Sequence, residues 1–231
     1  MKVVLLPVKD LASCKERLST RLSPAQRSQL MWTLFRRTAR IVQQAQRSPA
    51  ADVPASFSEK GRREERFRVA VVTADGKIAK HAGGLGWRVL REQESVSESR
   101  SVDWASSRLQ AEGALSVLRL PCDLPLLLPQ DVVQLWEVSR NRCCVLAPSR
   151  SGHGTNALLR VPPDAFPSRF GPHSRSRHQQ EAARQGCSLR IVENPRLALD
   201  IDSPDDIEFF LGEAGGDCGV AHLLSSWVMK P

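Results

Sequence analysis

Short, uninterrupted apolar runs alternate along this chain with stretches in which apolar residues recur every three or four positions. That is the pattern of strands and helices laid down in turn. Residues 3–6 and 69–73 show no polar alternation, as expected of strands buried on both faces. Further short strands are expected at 87–90, 116–120, 144–147, 157–160, 188–193 and 197–201. Ser23-Pro24-Ala25-Gln26 supplies an N-cap, a proline at N1 and a glutamine at N3, so a helix is expected from Pro24 to near Arg47. Leu30, Leu34, Ala39, Ile41 and Val42 would form its buried face. Shorter helices are expected over 78–82 (closed by Gly83-Gly84), 102–111, 131–139, 174–185 and 205–211, the last opened by Ser203-Pro204. Residues 49–66 and 92–100 are polar and predict loops, the first an exposed insertion.

Alternating strands and helices predict an α/β domain with a central, mostly parallel mixed sheet and helices on both faces. The domain is expected to span residues 1–211, with 212–231 as a tail. In open sheets of this kind, ligands bind at the carboxyl ends of the strands. Lys9, Thr73, Asp123, residues 149–155 and Asp202 all follow strands, so one mouth should collect them.

Composition removes several function classes. No run approaches the 18 or so apolar residues of a membrane span, and the N-terminal apolar run is too short for a signal peptide. The six cysteines form no CxxC pair and no metal-ligand spacing, which predicts reduced thiols and a cytoplasmic protein. The net charge of +8 suggests anionic partners. Aromatic residues are only 5%, with no tyrosine, so a base-stacking platform is poorly supplied and nucleic acid is not the expected partner. Small phosphorylated anions explain the charge as well.

Three segments of the second half carry the chemistry. LPCDLPLL and LALDIDSPDD each place carboxylates where an apolar run meets a proline turn: Asp123 in the first, Asp200 and Asp202 in the second. Asp200 and Asp202 would alternate along a strand and share a face. Between them lies a glycine- and hydroxyl-rich stretch without an acid from 165 to 178. Carboxylates able to share a divalent cation, facing neutral and basic loops, suit phosphoryl or nucleotidyl transfer. Mg²⁺ fits an all-oxygen ligand set. Each residue also has a plainer reading. Asp123 could cap its turn, Asp202 could help cap the final helix, and Lys9, Lys15 and Arg17 could form a solvated basic loop. Asp205 and Asp206 read as ordinary first-turn helix acids.

The segments LLPVKDLASCKERLS, LPCDLPLL, GTNALL, DAFPSRFGPHSRSRH and LALDIDSPDD occur in the order found in a known family. The chain resembles the 2-phospho-L-lactate and phosphoenolpyruvate guanylyltransferases of coenzyme F-420 biosynthesis, from residue 3 to about 211. The resemblance implies a GT-A-like (Rossmann-type) nucleotidyltransferase fold. It also implies transfer of GMP from GTP to a phosphorylated three-carbon acid: 2-phospho-L-lactate, phosphoenolpyruvate or 3-phosphoglycerate. On this reading Asp123, Asp200 and Asp202 hold the metal, with Asp123 and Lys15 catalytic. Lys9, Lys15 and Arg17 meet the triphosphate, and Thr155, Gly171 and Ser174 cradle the acceptor. Arg169, Arg177 and His178 read equally well as structural. The chain departs from the family pattern at Ser101-Val102-Asp103, His153, His173 and Arg175, where Gly is usual at 173.

Two other functions compete. A molybdopterin or sugar-phosphate nucleotidyltransferase would carry a glycine-rich loop after the first strand, and residues 5–18 contain no glycine. A non-catalytic nucleotide- or RNA-binding module would gain nothing from three carboxylates repelling phosphate. Protein partners compatible with this reading are a second copy of the chain and the next enzyme of the pathway.

Overall fold

The computed structural model describes residues 1–11, 14–47, 67–93, 97–139, 143–213 and 219–228. Among these, seven strands form one sheet: β1 (Lys2–Pro7), β2 (Arg68–Thr73), β3 (Arg88–Arg91), β4 (Ser116–Arg119), β5 (Cys144–Pro148), β6 (Thr155–Arg160) and β7 (Leu189–Ile191). Their order is β3-β2-β1-β4-β6-β5-β7. Neighbours are parallel except where β6 is involved, which runs antiparallel to β4 and β5. The expected α/β fold with a mixed, mostly parallel sheet is present.

Both faces of the sheet are covered, which is why β1 reads as an unbroken apolar run. Val4 and Leu6 meet α1 (Pro24–Arg47), α2 (Gly76–Gly84) and α4 (Pro129–Val138) through Met31, Phe35, Val42, Ile78, Val132 and Leu135. Val3 and Leu5 meet α3 (Glu98–Ala111) through Val102, Ala105 and Leu109. Further along that face, Ala182 of α5 (Ser174–Arg184) packs with Phe166 and Leu158. Each of the larger side chains among them (Val, Leu, Ile, Phe), fully buried, contributes about 1.5–3 kcal/mol.

The chain leaves β1 through α1 towards one edge and returns through α3, on the opposite face, to place β4 on the other side of β1. The strand order therefore reverses between β1 and β4. In open α/β sheets such a reversal is where the crevice at the carboxyl ends of the strands receives ligands.

Local signals explain where the elements begin and where the sequence misleads. The α1 capping box is formed: Ser23 N–H donates to Gln26 Oε1 at 2.8 Å and Gln26 N–H to Ser23 Oγ at 3.3 Å. Helix α2 starts earlier than expected because the Asp75 carboxylate accepts from the Lys77 and Ile78 amides. It also keeps Gly83 and Gly84, and the left-handed position beyond it falls to Gly86 at φ 75°. Helix α3 begins at Glu98, inside the expected polar loop, because Ser97 caps it.

Two corrections bear on function. The strand expected at 197–201 does not form. Asn194 accepts from the Arg196 amide at 2.9 Å and Pro195 takes the first helical position, so α6 (Pro195–Ala198) is a single helical turn. Asp200 and Asp202 consequently lie in an irregular segment. In addition, α7 (Pro204–Glu213) is not the last helix. A further helix, α8 (Gly219–Val228), packs Val220, Ala221 and Leu224 against Leu30 and Leu34 of α1, Ile207 and Phe210 of α7, and Leu199 and Ile201. It thus buttresses the segment that carries the two acids. The expected 49–66 insertion lies outside the described residues.

Leu224 is fully buried in this end cluster. Leu224→Ala is expected to lower the unfolding free energy by about 2–4 kcal/mol, the scale of a buried cavity. Denaturant titration checks this; a change below about 1 kcal/mol would detach α8 from the core.

Candidate functional site

The sheet edge at the β1–β4 reversal is where the acids converge. Asp123 lies four residues beyond the end of β4. The segment carrying Asp200 and Asp202 docks beside it through one backbone bond, from Ile201 N–H to the Asp123 carbonyl at 3.1 Å. Ile201 itself is buried, so its two acidic neighbours are left at the mouth. One carboxylate oxygen from each of Asp123, Asp200 and Asp202 lies within 4.8 Å of the others.

Lys15 answers this crowding. Its backbone is left-handed (φ 54°, ψ 43°), a conformation that costs a non-glycine residue roughly 1 kcal/mol. The ammonium sits between Asp123 Oδ2 and Asp202 Oδ1, 2.5 Å from each. Burial works against the charge on Lys15, but the two carboxylates override it and raise its affinity for the proton. Burial likewise opposes ionisation of Asp123, and the Lys15 charge and hydrogen bond hold that carboxyl below the usual range. Asp200 has no such partner. Burial, then repulsion from Asp123 and Asp202, pushes it up to about 6.

Asp123 Oδ1 is buried without a hydrogen-bond partner. An unsatisfied carboxylate oxygen on a member of a three-carboxylate cluster is suited to a hard cation with oxygen ligands. Among the described residues, this trio is the cluster of His, Cys, Asp or Glu able to hold a metal ion. Lys9 and Arg17 flank the same loop and remain exposed. The structure brings Lys15 to the acids and leaves those two in solvent.

The start of β6 is bulged. Ala147 pairs with Ala157 and Pro148 with Thr155, so Asn156 is an extra residue without a partner. Asn156 then points with its neighbour Ala157 towards α6, where its amide reaches Asp200, and Thr155 points to α5. Thr155 Oγ1 lies 3.0 Å from His178 Nδ1, and the Arg169 amide donates to His178 Nε2 at 2.8 Å. A backbone N–H can only donate, so the ring is neutral with its proton on Nδ1, and Thr155 accepts it. Burial first, then Arg119, Arg160, Arg177 and Arg169, lower His178 to about 3. The hydrogen bonds of both His178 ring nitrogens are thus spent within the protein.

Gly171 (φ 105°) and His173 (φ 54°) are both left-handed, and Ser174 is the first residue of α5, with His173 at the cap position. The 149–154 loop is equally tight. A Cβ on Gly154 would lie 2.5 Å from Ser149 Oγ, which accepts from the Gly154 amide.

With this geometry in place, comparison with known proteins is decisive. The family model described as "Guanylyl transferase CofC like" matches residues 62–218. The chain belongs to this family. It is 38% identical to the phosphoenolpyruvate guanylyltransferase of Rubrobacter xylanophilus over 88% of this chain and 90% of that protein. It is 31% identical to the 3-phospho-D-glycerate guanylyltransferase of Colwellia psychrerythraea over 89% of each. A crystal structure from Desulfovibrio desulfuricans G20, provisionally assigned as a nucleotide-diphospho-sugar transferase, superposes with a TM-score of 0.71 at 13% identity, covering 97% of this chain and 94% of that one. That likeness concerns the fold. The chain is a nucleotidyltransferase enzyme, and among its described residues no helix is long and apolar enough to cross a membrane.

Within this guanylyltransferase the family departures acquire physical roles. Asp103 accepts from Arg160 Nη1 at 2.7 Å and from the Ser168 amide, tying the loop before α5 to α3. Arg175 donates its amide to the His153 carbonyl and its guanidinium to the Gly152 carbonyl, tying the 149–154 loop to α5. His173 occupies a left-handed position, which accounts for the glycine usual there. Sequence reasoning missed two supports. Asn156 is one. Asp206 is the other: its carboxylate accepts from the Asp202 and Ser203 amides, the Ser203 hydroxyl and Arg150. An Asn after a bulge leaves no signature in one sequence, whereas Ser203-Pro204-Asp205-Asp206 already contained a capping box.

Asp200 generates a pH prediction. Its folded pKa of about 6 exceeds the unfolded value of about 3.9, so the folded state binds the extra proton. Stability from this group is present below about pH 4 and is lost as pH rises to about 6. The stability of Asp200→Asn relative to wild type, both without metal, should therefore rise across that window by about 2 kcal/mol and then level off. Thermal unfolding from pH 4 to pH 8 checks it; a difference independent of pH would contradict the assignment.

Proposed function

We propose that this guanylyltransferase moves GMP from GTP to phosphoenolpyruvate or a closely related three-carbon acid, 2-phospho-L-lactate or 3-phosphoglycerate, in coenzyme F-420 biosynthesis. Phosphoenolpyruvate stands first because the 38%-identical relative carries that name. The observation that carries the reading is the Asp123–Asp200–Asp202 cluster with Lys15 at the strand-order reversal.

In the reaction, an oxygen of the acceptor phosphate attacks the α-phosphorus of GTP in line. The new O–P bond forms as the bond to pyrophosphate breaks. No covalent enzyme intermediate is required, so the work is positioning and charge neutralisation. Asp123, Asp200 and Asp202 would hold Mg²⁺, which when bound neutralises phosphate oxygens. Lys15, with Asp123, is catalytic in this assignment: its ammonium, held on Asp123 and Asp202, would supply positive charge beside the metal site. Lys9 and Arg17 supply further charge to the triphosphate. Thr155, Gly171 and Ser174 form the acceptor cradle in this assignment, with the two hydroxyls as donors and Gly171 allowing the backbone to approach an anion closely. The catalytic unit is residues 1–211, with α8 as an added buttress. Five cysteines are free among the described residues, four of them buried, in keeping with a reducing cytoplasm.

Pyrophosphate release from GTP should require one of the three acids and a divalent cation. Asp123→Asn should lower turnover at least about 100-fold, on the order of 3 kcal/mol, with unchanged circular dichroism. Lys15→Ala should raise the KM for GTP more than that for the acid. Near-normal turnover of Asp123→Asn at saturating magnesium would remove Asp123 from the site, and failure of all three acids with wild type would refute the proposed reaction.

A further inference from the structure

The bulge at the start of β6 re-aims one amide at the acid cluster. Asn156 is buried, and its Nδ2 lies 2.9 Å from the Leu197 carbonyl, 2.9 Å from the Ala198 carbonyl and 3.1 Å from Asp200 Oδ1. All three neighbours are acceptors, so the amide nitrogen must face them and its orientation is unambiguous. Without the extra residue, strand alternation would turn position 156 to the α5 face, away from Asp200.

We infer that Asn156 is a positioning residue for the cation site: it fixes the Asp200 carboxylate through Oδ1 and leaves Oδ2 for the metal. The inference rests on the reading of Asp123, Asp200 and Asp202 as cation ligands. Two features make it more than an anchor for the loop. Asp200 is the member of the trio that Lys15 does not pair, so the Asn156 amide is its side-chain hydrogen-bond partner. The same amide also grips the carbonyls of Leu197 and Ala198, which fixes the backbone just ahead of Asp200. Carboxylate ligands are commonly oriented by such outer hydrogen bonds, and losing one weakens metal affinity about 10- to 100-fold.

The test is binding of Mn²⁺, followed by electron paramagnetic resonance, to wild type, Asn156→Ala and Asp200→Asn, with metal-free thermal unfolding of each. Asn156→Ala is expected to fold and to raise the Mn²⁺ dissociation constant about 10- to 100-fold. Its KM for GTP at saturating Mn²⁺ should stay at the wild-type value, a separation that general loosening of the loop would not produce. Equal Mn²⁺ affinity in Asn156→Ala and wild type overturns the inference while leaving the acid trio as ligands. Absence of Mn²⁺ binding by wild type, with or without GTP, overturns the inference and the metal reading together. If Asn156→Ala fails to fold, the side-chain amide resonances of Asn156 in the wild type decide the matter. They should shift on Mg²⁺ addition, and signals that do not move overturn the inference.

Discussion

Three carboxylates are held within one small, partly buried space, and the rest of the site is organised around that constraint. Like charges at such separations repel strongly where water is scarce. Lys15 offsets two of them at 2.5 Å, and Asp200 responds by holding its proton up to about pH 6. A buried carboxylate oxygen of Asp123 still lacks a partner. On the reading proposed above, a hard cation with oxygen ligands would take up that oxygen.

Holding the acids together takes a layered support. A single backbone bond docks Ile201 on Asp123, Asp206 grips the Asp202 and Ser203 amides, and Asn156 grips the turn before Asp200. Beneath them Leu199 and Ile201 enter an apolar cluster with α1, α7 and α8. The loops around β6 and the start of α5 are tied down by further polar contacts: Arg160 to Asp103, His178 to Thr155, and Arg175 to the 149–154 loop. A rigid frame of this kind suits a reaction in which placement supplies most of the catalysis.

The balance of charges follows the same division. Lys15 is drawn in among the acids, whereas Lys9 and Arg17 in the neighbouring segment stay exposed. The excess of basic residues that could have indicated nucleic acid is partly consumed by structure. Arg119 is buried, bonded to Glu98 and to the Asn156 carbonyl, with its guanidinium over the Phe170 ring. Arg160 is buried as well. Net charge alone could not separate such residues from those facing ligands.

What the sequence by itself determined was local. Apolar runs without alternation marked β1 and β2 because both of their faces are covered, and Ser23-Pro24-Ala25-Gln26 marked the start of α1 because a capping box is closed by its own four residues. The order of the motifs was enough to place the chain in its family and to name the acids. The tertiary structure alone decided what depends on residues far apart in sequence. Leu197 to Ile201 has the composition of a strand, yet Asn194 and Pro195 start a turn of helix, and the alignment of Asp200 with Asp202 comes from docking on Asp123. The glycine-rich approach to α8 concealed a helix whose apolar face has meaning only against α1 and α7. Asn156 could not be foreseen, because its direction is set by a bulge, and a bulge is defined by the pairing of two strands.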